Sequence, residues 1–469
     1  MVVGEFTQET DLLVIGGGPG GYTAAFRAAQ LGVQTTIVEA TEFLGGVCLH
    51  VGCIPSKTLL WVAELAGLAE HAAQFGVELG KPKVNLDKVR QWKEGVTAKL
   101  AAGLDSQCKR LGVERVRGRA RFEDSRYVAV QDSATARIKF KHAIIATGSE
   151  SIRLKGIEID SPQVMDSTGA LKLEDVPGHL LVVGGGYIGL ELGSVYAALG
   201  SEVTVVEMMP GLLPGVDADL VRPLARRLKD VLTQVCLKTR VTAMKEAGGG
   251  VEVAFEGDNL PQRNTFDRVL VSVGRRPNTD GLQLAKTQVK TDPHGFIKVN
   301  QRLQTDDPRI YAIGDVVGNP MLAHKASHEG KVCADVIAGH DNTFDARAIP
   351  AVVFTDPEIA WCGLTEAEAK AAGTKVVVKK IPWGASGRAV SIGRSEGVTK
   401  MLFDPQTHRI LGVGMCGLHA GEMIAEGVLA MEMGAVATDL AATIHPHPTL
   451  SEMMGEVADM MELGTLTGK

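Results

Sequence analysis

Residues 11–39 read DLLVIGGGPGGYTAAFRAAQLGVQTTIVE, and residues 179–207 read HLLVVGGGYIGLELGSVYAALGSEVTVVE. The two stretches align without a gap. Each begins with a short apolar run, the pattern of a parallel strand buried on both faces. A glycine-rich turn follows, then a helical stretch with small residues, then a second apolar strand closed by a carboxylate, Glu39 or Glu207. This is a βαβ unit used twice. The turns are Gly16-x-Gly18-x-x-Gly21 and Gly184-x-Gly186-x-x-Gly189. In such a turn the first glycine permits the tight bend. The second lets the backbone approach a pyrophosphate, and the third lets helix and strand pack closely. The phosphates meet the free N–H groups and the dipole at the helix N-terminus. The closing carboxylate accepts a hydrogen bond from a ribose hydroxyl. Two such units in one chain imply two dinucleotides, which suits an enzyme passing electrons between them. Glu207 would repel a 2′-phosphate, and Met208, Met209 and Pro210 offer no basic residue to receive one, so NAD(H) is favoured over NADP(H).

A chain of 469 residues is long enough for two to four domains. Forty-nine basic against 55 acidic residues leave a formal charge of −6, which argues against a nucleic-acid partner and a polybasic membrane patch. Glycine numbers 55, about 12% against a usual ~7%, and falls in clusters rather than a collagen-like repeat. The first ten residues, MVVGEFTQET, lack a basic residue and carry two acids, so they do not form a signal peptide. No apolar run is expected to reach 18 residues, and a cytoplasmic protein without a membrane span is inferred.

The fold class expected is α/β: two Rossmann-like dinucleotide-binding domains plus a C-terminal α+β domain. Residues 1–147 form the first nucleotide domain, with a helical insert near 57–110. Residues 148–278 hold the second copy. Residues 279–347 mix strand and loop and complete the first domain. Residues 348–469 form a separate unit with helical stretches near 365–372 and 420–435.

Seven cysteines in a chain of this length do not make a disulfide framework. Cys108, Cys236, Cys333, Cys362 and Cys416 stand alone, but Cys48 and Cys53 are close, in GGVCLHVGCIPSK (45–57). A helix is expected to run through this motif into TLLWVAELAGLAE, and cysteines near a helix N-terminus have depressed thiolate pKa values. A structural zinc site wants about four ligands in paired motifs. Here there is no second pair, and His50 is a weak third ligand, so a redox disulfide is favoured and no metal is expected.

With a dinucleotide fold before it and another after it, this motif resembles the class of flavin-dependent pyridine nucleotide–disulfide oxidoreductases. The resemblance covers essentially the whole chain, through Thr147-Gly148, VSVGRRPNT (271–279), YAIGD ending in Asp315, MLAHKASHEG (321–330), VVFTDPE (352–358) and HPHPTLSE (445–452). Members that oxidise dihydrolipoamide are the nearest match. The resemblance implies that Gly16, Gly18, Gly21 and Glu39 hold the ADP half of FAD, with Gly118 near its adenine. Thr147 and Gly148 belong to the same site. Asp315 would bind the ribityl or pyrophosphate part, and Ala323 would approach the flavin ring. Gly184, Gly186, Gly189, Glu207 and Gly274 would form the NAD site. Tyr187 either covers the nicotinamide pocket until NAD enters or simply packs. Cys53 would be the thiol next to the flavin and Cys48 the interchange thiol facing the substrate. Lys57 and Glu191 would pair beside the flavin N5. His447 and Glu452 would be delivered to the disulfide of the other subunit, His447 as the base that takes a proton from a thiol. The resemblance thus implies a homodimer with a shared active site, C-terminal dimerisation through 348–469, and a separate lipoyl carrier protein as partner.

The alternatives are a glutathione-reductase-like enzyme, which should carry basic residues after the second repeat, and a non-catalytic redox-sensing flavoprotein. The latter should lack a cysteine or the His–Glu pair, and all four residues are present. His50 stands where the class usually has Asn. It either shifts the Cys48 thiolate or is a neutral surface change. Pro446 stands where Ala is common.

Overall fold

The strand expected at the first repeat runs over Thr7–Ile15 and pairs in parallel with Thr35–Glu39, Leu12 opposite Thr35 and Ile15 opposite Val38. The second repeat forms the same pairing between His179–Val183 and Glu202–Glu207. The computed structural model describes residues 7–467 except 81, 155 and 158. The first six residues, part of the N-terminal stretch read as no signal peptide, lie outside the described residues.

The chain divides into two units. The first takes residues up to 59, 85–152 and 274–345. Among the described residues its main sheet runs in the order Glu114–Arg117, Thr35–Glu39, Thr7–Ile15, Arg137–Ile145, Tyr127–Gln131, Arg119–Phe122, with Ile310–Ala312 also on Arg137–Ile145. The helix Pro19–Gln30 buries Gly20, Gly21, Ala24, Ala25 and Ala28, small residues that let it lie close to its neighbours. A Cβ on Gly330, in the helix Ala323–Ile337, would sit 2.6 Å from Gly20 O. Leu13, Phe122, Phe140 and Ile310 fill the sheet's other face. Burial of each such side chain contributes about 1.5–3 kcal/mol. Leu86–Leu111 opens on an Asn85 cap, whose side chain accepts from Lys88 N, and ends on Gly112 in the left-handed conformation.

The second unit takes residues 60–84, 153–273 and the chain from 346 on. Its parallel sheet runs Gln234–Leu237, Glu202–Glu207, His179–Val183, Arg268–Val271, Val164–Met165. The C-terminal sheet is antiparallel, in the order Ala351–Val353, Glu358–Gly363, Ile410–Gly417, Val398–Phe403, Val377–Pro382. Glu366–Ala372 and Ala420–Met433 are the two helices expected there. A further helix, Glu452–Thr467, was not foreseen. It brings Met454, Val457, Ala458 and Met461 into the core of that sheet.

One expectation needs correction. The helix through the cysteine motif is broken: Gly46–Val51 ends at Gly52, and Cys53–His71 starts afresh. Gly46–Ala69 is long and apolar enough to cross a membrane by length and composition alone, but it is interrupted at Gly52 and carries Lys57 and Glu64, so it is not read as a span.

Candidate active site

The glycine turns separate into positions the protein needs for itself and positions it does not. Gly16 has φ +103°, and a Cβ there would sit 2.3 Å from Ala146 O. A Cβ on Gly21 would sit 1.9 Å from Gly16 O. In the second repeat, a Cβ on Gly184 would meet Ser272 O at 2.4 Å, and one on Gly189 would meet Gly184 O at 2.3 Å. Both outer glycines are therefore fixed by packing. The middle ones are not: a Cβ on Gly18 would meet nothing closer than 4.0 Å, and one on Gly186 nothing within 4 Å. Gly18 and Gly186 occupy the N-cap positions of their helices, where the first backbone N–H groups have no partner within the helix. That space is what a pyrophosphate would fill, so the residues present fit a dinucleotide in both repeats.

The closing carboxylates have a structural task that the sequence did not disclose. Glu39 Oε2 accepts from Gly17 N at 2.7 Å, and its Oε1 accepts from Thr41 N at 2.8 Å. Glu207 repeats this, accepting from Gly185 N and Met209 N, each at 2.7 Å. Each carboxylate thus ties its glycine turn to the strand end. Each oxygen keeps acceptor capacity for a ribose hydroxyl. Gly118 lies beside the first of these, its N–H donating to Glu39 O at 2.9 Å.

Around Asp315 the chain is sutured. Ser149 Oγ donates to Asp315 Oδ2 at 2.5 Å, and Arg275 donates to Ser149 Oγ and Ser149 O. Thr147 Oγ1 donates to Asn278 O, while Asn278 returns bonds to Thr147 O and Gly148 O. Gly274 O accepts from Ile152 N at 3.0 Å. Ser149, Arg275 and Asn278 were not singled out from sequence, although they lie inside or beside ATGSE and VGRRPN. Ala323 opens the helix that carries the buried Lys325–Glu329 ion pair, and Glu329 accepts from Gly314 N, next to Asp315.

Cys48 and Cys53 face each other across Gly52 as two thiols within hydrogen-bonding reach. A Cβ on Gly52 would lie 2.7 Å from Val47 O, so only glycine lets the second helix start this close to the first. The hydrogen bond to Cys53, then burial, push the Cys48 thiol up, while the Lys57 ammonium acts in the opposite direction. The depressed thiolate expected from a helix N-terminus is therefore not found at Cys48. Cys48 sits inside the short first helix. His50 turns away from this chemistry: its Nε2 lies 2.9 Å from Leu44 O, and its ring rests near Phe43. Tyr22, not anticipated, feels both cysteines, and burial followed by their charges raises its phenol. The other five cysteines are buried. Burial lifts Cys108 and Cys236 to about 11, and Cys362 and Cys416 to about 12.

Glu191 is buried, and its Oε1 accepts from Phe354 N at 3.0 Å. Tyr187 is exposed at the first helical position of its repeat. At the C-terminus His447 Nδ1 lies 2.7 Å from Glu452 Oε1, and Glu452 Oε2 accepts from Thr449 N at 2.7 Å. The Thr449 N–H, then His447, hold the Glu452 carboxyl below its usual range. An ionised carboxylate only accepts hydrogen bonds, so Nδ1 carries the hydrogen and Nε2 offers its lone pair. The His447 side chain is 77% exposed. His445, which sequence gave no role, has its own carboxylate, with Nε2 2.7 Å from Glu426 Oε1.

A family model described as pyridine nucleotide-disulphide oxidoreductase matches residues 10–330, and one for that family's dimerisation domain matches 349–458. A dihydrolipoyl dehydrogenase of Haemophilus influenzae is 47% identical over 461 residues, covering 98% of this chain and 96% of its own. One of Geobacillus stearothermophilus is 45% identical over 466 residues, covering 99% and 98%. Among solved structures, LpdA of Mycobacterium tuberculosis superposes with a TM-score of 0.88 at 26% identity, covering 96% of this chain and 99% of its own. The HOCl-induced flavoprotein disulfide reductase RclA of Escherichia coli superposes with a TM-score of 0.85 at 28% identity, covering 96% and 99%.

Proposed function

The chain belongs to the pyridine nucleotide–disulphide oxidoreductase family, and from that premise we propose that it oxidises the dihydrolipoamide of a lipoyl carrier protein to lipoamide, with NAD⁺ as final acceptor. It is an NAD-dependent flavin disulfide oxidoreductase that uses FAD and acts as a homodimer. The observation that carries the substrate reading is the coexistence of the Cys48–Cys53 pair, the His447–Glu452 pair and a Glu207 turn without a basic residue, in a chain 43–47% identical to dihydrolipoyl dehydrogenases.

Residues 1–147 and 279–347 form the FAD-binding part, 148–278 the NAD-binding part, and 348–469 the dimerisation part. Gly16, Gly18, Gly21, Glu39, Gly118, Thr147, Gly148, Asp315 and Ala323 hold FAD, and Gly184, Gly186, Gly189, Glu207 and Gly274 hold NAD. When bound, the two cofactors supply a two-electron relay that removes reducing equivalents from the cysteine pair.

The chain's own residues carry out the thiol chemistry. In the oxidised enzyme Cys48 and Cys53 share a disulfide. His447 Nε2 takes the proton from one substrate thiol, and Glu452 stabilises the imidazolium that results. The thiolate attacks Cys48 Sγ, the S–S bond breaks, and Cys53 leaves as a thiolate. The second substrate thiol then displaces Cys48, closes the lipoyl ring and gives its proton to the departing Cys48 sulfur. The substrate's two electrons end on the cysteine pair, and its two protons end on His447 and Cys48. Lys57, one turn past Cys53, favours a thiolate in the pair, and Glu191, whose Oε1 accepts from Phe354 N, is the residue we assign to the flavin face. The histidine comes from one subunit and the disulfide from its partner. The exposed His447 and the exposed apolar side chains Trp61, Leu65 and Leu68 suit surfaces that a second copy covers. Five cysteines buried as free thiols suit a reducing, cytoplasmic setting.

The test is NADH formation from free dihydrolipoamide and NAD⁺, run beside oxidised glutathione with NADPH. Turnover of dihydrolipoamide that falls by more than about 10³-fold in Cys48→Ser supports the reading. NADPH-dependent reduction of glutathione with no dihydrolipoamide turnover overturns it.

A further inference from the structure

The segment after Glu207, MMPGLLPGVD (208–217), is a strap held at both ends. At its near end Met209 N donates to Glu207 Oε1, and Leu213 N donates to Gly185 O at 2.9 Å, inside the glycine turn. Leu212 lies against the same turn: a Cβ on Gly185 would be 2.7 Å from its Cδ2. Leu213 has φ +51°, a left-handed conformation that a non-glycine residue keeps only where its surroundings impose it.

The far end is held as well. Asp217 is buried, and its carboxylate accepts from Lys400 Nζ at 2.7 Å and from Glu366 N at 3.0 Å and Ala367 N at 3.3 Å, at the start of the helix Glu366–Ala372. Lys400 is 1% exposed and also donates to Asp219 Oδ1 at 2.7 Å and Glu366 Oε1 at 2.9 Å. The three carboxylates are close enough to hold a metal ion, but the ammonium of Lys400 is the cation among them. Lys380 adds a second positive charge at Asp219 Oδ2. Burial by itself would lower the Lys400 ammonium's pKa, but hydrogen bonds to the three carboxylates outweigh it and raise it.

We propose that Lys400 is a positioning residue for NAD(H): by clamping Asp217 it fixes the strap 208–217, and through Leu213 and Met209 it holds the glycine turn and Glu207 in their cofactor-ready geometry. The proposal rests on the assignment of NAD to the second repeat. It makes the C-terminal sheet, through Lys400, a determinant of NAD affinity.

Two variants of the FAD-loaded dimer test it: Lys400→Met, and the charge-balanced Asp217→Asn/Lys400→Met, which avoids leaving Asp217 ionised without its partner. Hydrogen–deuterium exchange without NAD should show faster exchange across 208–217 in both, while the first repeat keeps its wild-type rates. NADH dissociation constants should rise about five- to tenfold, because binding must now order the strap. KM for NAD⁺ should rise in step, with kcat and KM for dihydrolipoamide unchanged, and Lys400→Arg should restore much of the affinity. A purely structural clamp would instead lower the folded fraction and leave the NADH constant of the folded enzyme at its wild-type value, which overturns the proposal. Wild-type exchange across 208–217 in the charge-balanced variant also overturns it. Glu207→Gln serves as the reference. If Glu207→Gln leaves NADH binding intact, the assignment of NAD to this repeat fails. If it weakens binding and the Lys400 variants do not, only the clamp fails.

Discussion

Gly186 and Gly189 sit three residues apart in one turn, yet an added methyl group should affect them in opposite ways. Gly189→Ala drives a Cβ to 2.3 Å from Gly184 O and should cost stability by about 1–3 kcal/mol or prevent folding, as read by thermal unfolding. Gly186→Ala meets nothing within 4 Å and should fold normally, but lose NADH affinity if that open space takes the pyrophosphate, as proposed. Titration of NADH into both variants separates the two effects. Equal loss of stability in both would contradict the division drawn between the glycines. At the other end of the chain, Glu452→Gln keeps a side chain of the same shape but removes the charge proposed to stabilise the His447 imidazolium. It should lower kcat by about 10²-fold with little change in KM for dihydrolipoamide.

The helix Ala218–Val231 and the strand Val398–Phe403 meet at the Lys400 cluster, and the clamp has a definite pH window. The Asp219 carboxyl feels burial, which raises its pKa, but Lys400 and Lys380 outweigh this and lower it. Its contribution is therefore present above the unfolded carboxyl value of about 3.9 and is lost as pH falls through the lower folded value. Lys400 is shifted up, so its contribution is present below about 10.4 and is lost as pH rises through the higher folded value. Lys400→Met should lower unfolding free energy by about 3–5 kcal/mol across that plateau, because it leaves the buried Asp217 carboxylate without its cation. The deficit should shrink in acid, and urea unfolding at pH 7 and below pH 4 would show whether it does.

This cluster also marks where sequence reading stops. The two repeats were legible because buried strands, glycine turns and closing carboxylates leave a local signature. The His447–Glu452 pair was legible only through resemblance. Lys400 and Asp217 were not legible, since an ion pair between residues 183 apart leaves no local pattern. The helix Glu452–Thr467 was hidden by its own glycine: Gly455 reads as a helix breaker, but a Cβ there would press on His445 Nδ1 at 3.0 Å. The break at Gly52 was missed because its cause, the closeness of Val47 O, lies in the folded backbone rather than in any propensity.

As a whole, the molecule should behave as a symmetric dimer with two identical shared sites. Cys48→Ser and His447→Gln homodimers should both be inactive. Mixing the two after dissociation and reassociation should recover about a quarter of wild-type activity, since half the dimers are hybrids and each hybrid has one intact site. No recovery would mean that histidine and disulfide belong to the same chain. The distribution of sulfur has a further practical consequence. Only Cys48 and Cys53 of the seven cysteines reach the surface, while the other five are enclosed. A colorimetric thiol reagent added to the reduced enzyme should therefore register two equivalents per chain at first. The remaining five should appear only as the chain opens, so the protein carries its own internal gauge of unfolding.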